Sequence, residues 1–389
     1  MAWTMSVYRN GASISAIVQA NWSSIYGRQT NTDVCQAQTV TFDVVYDSSS
    51  LGTTDPNLWA IGDRIEVNIK NAALASGKYF SGTITDILAR HHEMTIIATS
   101  DTMSSVNRNP ITVGANVDVL TGTAINTALT AVQTAGGLPS KTITTSTGTN
   151  NVTTPIQTNV NAVSFINQLV ASEPNGVLLE EIGGIRFSDY DDRRIATMAA
   201  SQKFDLSALG NTIQWGWQLE KTVSDFVNTC NVTWTAGTST YEDTTSVTNS
   251  GAYNRSVTTY INNVSQADYN ALRIVQHGLV PGWRTSGIIL DMSAQTDARR
   301  DAIFKNMRTG SYVKLPTLIT GAQNEFFVEG WTDRFVYGPT GAQTWFRQLY
   351  VSDISISQAA QRYIDVVSGV TYATVNATYR WIDLEQNQI

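Results

Sequence analysis

The chain has 389 residues, which is enough for two or three domains that each bury a core of their own. Charged residues make up only 15% of it, while 10 Trp, 15 Tyr and 11 Phe exclude a disordered chain. The net charge of −7 excludes the basic field needed to grip duplex DNA or an anionic membrane.

Alternating apolar residues predict four strands in the first hundred residues. They cover residues 39–46, a stretch that follows Gly62 and carries Ile65, Val67 and Ile69 inward, and a hairpin formed by residues 79–88 and 93–99. Four such strands within about 60 residues are typical of a small antiparallel barrel or sandwich.

The period changes to that of helices in the middle of the chain. Ile125, Leu129 and Val132 share one face of a predicted helix that a glycine pair ends, and residues 163–170 form a second helix before a hairpin at 177–187. Residues 141–155 are nearly all Thr, Ser, Asn and Gly, so we expect an exposed loop or a segment ordered only by a neighbour.

The last third is again rich in predicted strands, with helices between them. The expected elements are a strand at 212–219 with Trp215 and Trp217 on one face, a short helix with Val223, Phe226, Val227 and Cys230 on its apolar side, a helix at 265–277 with a capping box at Ser265 and Asp268, a strand at 287–292 and a helix at 297–308.

An aromatic hairpin closes this region. Residues 325–337 and 344–352 read as two strands that turn at Tyr337-Gly338-Pro339-Thr340-Gly341. The predicted class is α+β and mainly β, with two related small antiparallel β-barrels separated by an α/β insertion domain. The predicted domains are 1–115 (first barrel), 116–202 (insertion), 203–356 (second barrel with helical insertions) and 357–389 (C-terminal arm).

The two strand-rich regions also resemble each other, at an offset of 248 residues. The predicted equivalent positions are Gly62 and Gly310, Ile65 and Val313, Val67 and Leu315, Gly82 and Gly330 and, after one gap, Asp86 and Asp333. A glycine inside a strand marks a bulge or a close backbone approach, so the shared strand glycine favours a duplication. The alternative is that any two antiparallel meanders look alike.

Signals for a metal or cofactor are weak, and we expect neither. The chain has three histidines, His91, His92 and His277, which we assign to a turn and a helix end. The acidic cluster of Glu180, Glu181, Asp189, Asp191 and Asp192 could hold a hard cation, but the following Arg193-Arg194 favours a solvated, internally compensated loop. Cys35 and Cys230 are far apart, which indicates neither a disulfide scaffold nor a zinc site.

Catalysis is not expected either. Glu329 and Asp333 are the one carboxylate pair placed for glycoside hydrolysis, on a strand that Gly330 disturbs. A secreted carbohydrate-binding or glycosidase-like protein would also need an export signal, whose pattern the N-terminal residues lack, and a cleft that Trp215 and Trp217 could line. No stretch of about 20 apolar residues predicts a membrane span.

Three stretches carry a resemblance to a known family. They are FSGTITDI at 80–87, NAVSFINQLVASEPNGVLLEEIGGIRFSD at 161–189, and VEGWTDRF at 328–335 with its return strand TWFRQLYVSD. Their order resembles that of tail-tip hub proteins of long-tailed bacteriophages, also called minor tail or tail-associated proteins, which share a fold with contractile-tail baseplate hubs.

The resemblance implies a structural virion protein at the tail tip, assembled in the host cytoplasm. It implies a homotrimer whose two barrels per chain adapt a sixfold tube to threefold tip structures around the DNA exit channel. The implied partners are the tail tube or a distal tail protein above, the tape measure protein in the lumen and tip or fibre proteins below, while genomic DNA passes without specific binding. A distal tail adaptor ring is the alternative within the same setting.

Overall fold

The described part of the computed structural model comprises residues 3–14, 22–28, 36–45, 59–70, 77–90, 93–138, 141–173, 176–181, 183–189, 192, 198–207, 226–279, 285–316, 324–337 and 343–353. Its strands are Thr4–Arg9 (β1), Ala12–Ser13 (β2), Trp22–Gly27 (β3), Thr39–Val45 (β4), Arg64–Lys70 (β5), Gly77–Ala89 (β6), Glu93–Ser100 (β7), Pro110–Val113 (β8), Asn116–Leu120 (β9), Thr142–Thr145 (β10), Asn151–Thr154 (β11), Gln157–Asn161 (β12), Val177–Glu181 (β13), Gly184–Ser188 (β14), Lys203–Asp205 (β15), Thr229–Trp234 (β16), Gly237–Glu242 (β17), Asn254–Thr258 (β18), Thr285–Asp291 (β19), Tyr312–Lys314 (β20), Glu325–Tyr337 (β21) and Gln343–Asp353 (β22). Its helices are Asp101–Arg108 (α1), Thr121–Thr134 (α2), Ala162–Ala171 (α3), Thr244–Ser250 (α4), Val264–Gly278 (α5) and Asp297–Asn306 (α6), and a 3-10 turn occupies Ala200–Gln202.

Twelve of these strands form one mixed sheet. Its main path runs β15-β20-β21-β3-β4-β7-β6-β5-β1-β2, and β22 pairs with both β21 and β19. We call β1 to β7 the N-terminal block, and β15 with β19 to β22 the C-terminal block. In the described part of the chain, the blocks are joined where β3 pairs with β21 in antiparallel register.

The predicted α+β, mainly β class is confirmed, but the two closed barrels are not. Within the described residues no strand pairing closes either block on itself. One hydrophobic cluster also runs through both blocks, from Trp3 and Phe42 to Phe326 and Val351. Because β3 and β21 pair directly, the blocks share this core.

Period-2 alternation predicted most of the block strands correctly. β4 alternates buried and partly exposed residues, with Val40, Phe42 and Val44 fully buried. The hairpin of β6 and β7 is antiparallel, as expected. β21 has its predicted bounds, and β22 extends one residue beyond each predicted end.

A second hydrophobic cluster lies between the helices and short strands of the middle region. The predicted helices are α2 and α3, and the predicted hairpin is β13 with β14. The cluster also includes Met103 and Ile111, which precede residue 116, and Tyr260 packs against it from much further along the chain. The domain boundaries remain predictions.

The Thr-rich tract at 141–155 is an ordered segment and not an exposed loop. β10 pairs in parallel with β14, and β11 pairs with β9. Between them, the Glu173 carboxylate accepts backbone N–H groups of Thr149 at 2.9 Å and Asn150 at 3.2 Å. Burial raises the pKa of Glu173, and these hydrogen bonds oppose that rise. A buried acid from outside the tract therefore supplies the order that its composition lacks.

The short helix predicted around Cys230 is wrong where the chain is described. Thr229–Trp234 is instead the central strand of a three-stranded sheet, paired antiparallel with β17 and in parallel with β18. Cys230 and Val232 are buried against α5 on one side of this strand. The apolar spacing that predicted a helix therefore combined the alternation of a strand, which begins at Thr229, with apolar residues that precede this strand. Val223, which was assigned to the same helix, lies outside the described residues.

Helix α5 was predicted with nearly correct bounds and the wrong cap. It begins at Val264, and the side chain of Asn263 accepts the Ser265 N–H at 2.8 Å, so the cap precedes the expected box. Gly278 is the last helical residue, and a Cβ there would lie 2.4 Å from the Cβ of Val227. Position 278 requires glycine because the helix end packs this closely against Val227. The predicted strand at 287–292 and helix at 297–308 are confirmed as β19 and α6.

None of the helices in these ranges is both long enough and apolar enough to cross a bilayer.

Candidate assembly site at the junction of the two strand blocks

The same glycine turn begins a strand in each block. Gly62 precedes β5 with φ of +94°, and Gly310 precedes β20 with φ of +87°, a region that favours glycine. The Gly62 N–H donates to the Ile84 carbonyl at 2.9 Å, and the Ile84 N–H donates to the Asp63 carbonyl. In the other block, Gly310 donates to Val328 at 2.7 Å, and Val328 donates to the residue after Gly310.

In each block, the long strand has a β-bulge directly after the residue that bonds to the glycine turn, which is Ile84 in β6 and Val328 in β21. β6 shifts register between Ile84 and Asp86 against β7, and β21 shifts between Val328 and Gly330 against β22. Gly62 and Gly310 are 248 residues apart, whereas Ile84 and Val328 are 244 apart. On this hydrogen-bond register Gly330 corresponds to Asp86, four residues from its predicted partner Gly82.

The blocks meet backbone to backbone at a pair of glycines. Gly27 of β3, with φ of +79°, lies opposite Gly330 of β21. A Cβ on Gly27 would lie 2.6 Å from the Glu329 carbonyl oxygen, and a Cβ on Gly330 would lie 2.3 Å from the Tyr26 carbonyl oxygen. Any side chain at either position would therefore force the two strands apart.

A buried ion pair stabilises this contact on one side. Arg28 Nε donates to Glu329 Oε2 at 2.7 Å, and the two side chains are 5% and 0% exposed. The hydroxyl of Ser352 on β22 donates to the other carboxylate oxygen. Since removing one partner of a buried pair costs about 3–5 kcal/mol, this pair resists separation of the blocks.

A second buried pair lies further along the same strands. Arg347 donates to both oxygens of Asp333 at 2.8 Å, directly across β21 and β22. The Trp345 indole and the Tyr79 hydroxyl also donate to Asp333, and Tyr79 belongs to the N-terminal block. Burial would lower the pKa of Arg347, but the adjacent Asp333 carboxylate outweighs burial and raises it. Burial raises the pKa of Tyr79 as well.

Aromatic rings from both blocks pack around these pairs. Trp22 of β3 meets Phe335 of β21 edge to face at 4.4 Å between ring centroids. Trp3, before β1, lies 5.1 Å from Phe335 and 5.5 Å from Trp345. Such aromatic pairs add about 0.5–1.5 kcal/mol each beyond the area that they bury. These rings extend the packed interface between the blocks beyond the paired strands.

The two carboxylates considered for glycoside hydrolysis take part in buried ion pairs. Glu329 and Asp333 are both fully buried, and each is ion-paired to an arginine. A general acid or a nucleophile must reach the glycosidic bond, and neither oxygen pair is open to solvent.

The predicted acidic cluster does not form a solvated loop. Glu180 is buried and accepts the Gln38 N–H at 3.0 Å, and burial raises its pKa. Asp189 is buried too and accepts the Gly148 N–H at 3.0 Å. Glu181 pairs with Arg186 and, at 3.5 Å, with Arg308. Glu180 and Glu181 thus connect the middle region to the rest of the chain, whereas Asp189 acts inside that region. Asp191, Arg193 and Arg194 lie outside the described residues.

The remaining candidate residues give no further site. Among the described residues, no group of three or more His, Cys, Asp or Glu side chains could hold a metal ion. Cys230 is buried, and burial raises the pKa of its thiol to about 11. His91, His92, Trp215, Trp217 and the arm at 357–389 lie outside the described ranges, as does Cys35.

No protein-family model matches the sequence, and no curated protein matches it significantly. The structure is similar to a tail protein from Neisseria meningitidis MC58, with TM-score 0.61, 12% identity and coverage of 92% of this chain and 98% of the other. It is similar to the 43 kDa tail protein of prophage MuSo2 from Shewanella oneidensis, with TM-score 0.60, 11% identity and coverage of 91% and 99%. A Francisella PdpA-VgrG complex, half-lidded, contains a chain with TM-score 0.51 and 11% identity, of which 58% is covered together with 91% of this chain. The predicted resemblance to phage tail proteins is thus confirmed at the level of the fold, and this chain has the fold of a phage tail protein over nearly its whole length.

Proposed function

We propose that this chain is a structural protein of a bacteriophage tail that forms a trimeric hub at the tail tip. The observation that carries the proposal is the fold, which the chain shares with two phage tail proteins over more than 90% of all three chains. The fold alone does not name the position in the tail, so the hub assignment needs a second argument.

Internal repetition supplies that argument. Two blocks in one chain repeat a glycine turn, a reciprocal hydrogen-bond pair and a bulge. Three copies of a chain with two similar blocks give six similar blocks, which lets a closed ring meet a sixfold tube on one face and a threefold tip on the other. We propose that the blocks are the two barrel-like units of such a hub.

The proposed ring surrounds the DNA exit channel without gripping DNA. Three chains together carry a net charge of −21, which is consistent with a lumen that lets DNA slide past without binding. We propose the tail tube or a distal tail protein above the ring, the tape measure protein in its lumen and tip or fibre proteins below. The place of action is the virion tail tip, after assembly in the host cytoplasm.

The proposed role is not enzymatic. The carboxylate pair that could have supported hydrolysis contributes to the junction of the two blocks, because Glu329 binds Arg28 and Asp333, which pairs with Arg347 inside the C-terminal block, accepts the Tyr79 hydroxyl of the N-terminal block. We assign these side chains to assembly of the subunit.

The mass of the purified protein tests this proposal. Native mass spectrometry across a range of concentrations, with class averages from electron microscopy, should give a trimer with six similar densities around a channel. A hexamer with one density per chain would indicate a distal tail adaptor ring instead. A monomer at all concentrations would overturn both. Superposition of residues 62–101 on 310–353 in an experimental structure would test the repeat separately.

A further inference from the structure

The long strand of the N-terminal block has an open edge. Along β6, residues 81–83 lie between β5 and β7, whereas residues 86–89 pair with β7 alone among the described residues. By the hydrogen-bond register in which Ile84 corresponds to Val328, the matching stretch of β21 begins at Gly330. That stretch lies between β22 and β3, because β3 pairs with residues 330–335. The same edge is therefore covered in one block and open in the other.

Large apolar side chains lie along the open edge where the covered edge has buried threonines. Leu88 is 53% exposed, and its counterpart in β21 is Thr332, which is 7% exposed. Ile61 is 64% exposed and directly precedes the glycine turn, and its counterpart Thr309 is 4% exposed. The Thr309 hydroxyl would lie 3.0 Å from a Cβ on Gly27 of β3. Two apolar side chains are thus exposed at positions that lie beside β3 in the other block.

The C-terminal block has an open edge on β19. β19 pairs antiparallel with β22, as β4 pairs antiparallel with β7 in the N-terminal block. The outer edge of β4 carries β3, but no strand pairs with the outer edge of β19 in the described part of the chain. At the junction, the β4 side of one block therefore meets the long strand of the other. The β19 side is the counterpart of that β4 side, and an unpaired edge readily accepts another strand.

We propose that the open edge of β6, with Leu88 and Ile61, docks the β19 edge of a second copy of this chain. Within one chain five other strands lie between β19 and β6 along the sheet, so the contact needs a second copy. The contact joins two different surfaces, and repetition of such a contact can close into a ring. It rests on the proposed hub function and identifies the contact between the subunits of that hub.

The contact between copies differs from the junction within a chain. Asp86 corresponds to Gly330, whose missing side chain lets the Tyr26 carbonyl approach. A strand beside β6 must therefore keep the ordinary distance between neighbouring strands, about 4.8 Å. Thr85 corresponds to Glu329, so β6 has no acid at the position of the buried ion pair. The boundary between copies lacks both the glycine contact and this pair.

Positive charge at the open edge tests the proposal. Leu88→Lys and Ile61→Lys each place a charge where the contact buries an apolar side chain. Each should raise the concentration at which the trimer half-dissociates by about tenfold in analytical ultracentrifugation. Val117→Lys is the matched control, at an apolar position of the middle region that is 71% exposed, and it should leave this concentration unchanged. All three positions are exposed in the single chain, so the far-ultraviolet circular dichroism should stay the same.

Cross-linking tests which edges meet. In a Cys35→Ser background, a chain with Leu88→Cys and Ile289→Cys carries a thiol on each edge, while Cys230 is buried. Position 289 faces outward on β19, since both of its neighbours are buried. A bismaleimide with a spacer of about 10 Å, twice the distance between strands, should link such chains into covalent dimers and trimers on a denaturing gel. Chains with either substitution alone should stay monomeric on that gel.

The outcomes separate this contact from the proposed function. If the wild-type protein is a trimer that both lysine variants leave intact, the open edge does not lie between copies, and the inference fails while the hub stands. A trimer whose double-cysteine form gives no covalent dimer would have the same meaning. Covalent dimers from Leu88→Cys alone would show two N-terminal blocks in contact and would also overturn the inference. A wild-type monomer at all concentrations would overturn the hub and this contact together.

Discussion

Replacing Gly330 by alanine should force the two strand blocks apart where their backbones touch. A Cβ on Gly330 would lie 2.3 Å from the Tyr26 carbonyl oxygen and 2.6 Å from that of Arg28. Ordinary van der Waals contact begins at 3.4 Å, so β3 would have to retreat by about 1 Å. The atoms in the way belong to the backbone, which cannot rotate aside as a side chain would.

The expected loss of stability follows from this displacement. Overpacking a buried site costs about 1–3 kcal/mol. The retreat of β3 also weakens the 3.0 Å hydrogen bond from the Arg28 N–H to the Glu329 carbonyl, which is worth about 1 kcal/mol. We therefore expect Gly330→Ala to lower the free energy of unfolding by about 2–4 kcal/mol.

Urea unfolding followed by tryptophan fluorescence would measure this loss, with Gly114→Ala as the matched control. A Cβ on Gly114 would meet no atom within 4 Å beyond its chain neighbours, and the φ of Gly114 is not positive, so alanine there should be neutral or stabilising by about 0.4–1 kcal/mol. If Gly330→Ala unfolds within about 0.5 kcal/mol of the control, the backbones are not in contact at the junction, and the reasoning fails.

Three further predictions concern buried ionisable groups. Asp333→Asn should lower the free energy of unfolding by about 3–5 kcal/mol, because it leaves the Arg347 charge buried without its carboxylate; an unchanged urea midpoint would contradict this. Burial raises the pKa of Glu173 above its unfolded value of 4.5, so its contribution to stability is fully present below pH 4.5 and is lost as the pH rises through the folded pKa. Glu173→Gln should therefore remove a downward slope of stability that begins near pH 4.5 as the pH rises, and identical slopes in denaturation series would refute it. In a Cys35→Ser background, Cys230 should resist maleimide at neutral pH in the native protein and react in urea, because its thiol has a pKa of about 11 and is buried; equal labelling rates would disprove the assignment.

The hairpin of β21 and β22 shows what local pattern can predict. Its strands were predicted within one residue, because both are rich in aromatic and β-branched residues. The positions of the charged residues carry a further signal. Asp333 lies two residues from both Trp331 and Phe335, and Arg347 lies two residues from both Trp345 and Leu349, so each charge occupies an inward position. Two opposite charges on the inner face of one hairpin predict a buried pair.

Contacts between distant segments were beyond the sequence pattern. Gly27 is the last residue of the short strand β3, and glycine is required there because of Gly330, some three hundred residues away. The order of the Thr-rich tract likewise depends on Glu173, which lies outside it. Propensity and periodicity describe a segment's own preferences, whereas these features arise from tertiary contacts that override them.

The junction also suggests how a sixfold arrangement could become threefold in the proposed ring. Six blocks from three chains would meet at six boundaries, three inside chains and three between them. Those inside chains are the paired strands β3 and β21, with their glycine contact and the buried pair of Arg28 and Glu329. That boundary forms because β3 of the N-terminal block pairs with β21 of the C-terminal block, so boundaries between chains need not reproduce it. The glycine turns would then carry the sixfold similarity, and the alternation of two kinds of boundary would carry the threefold difference.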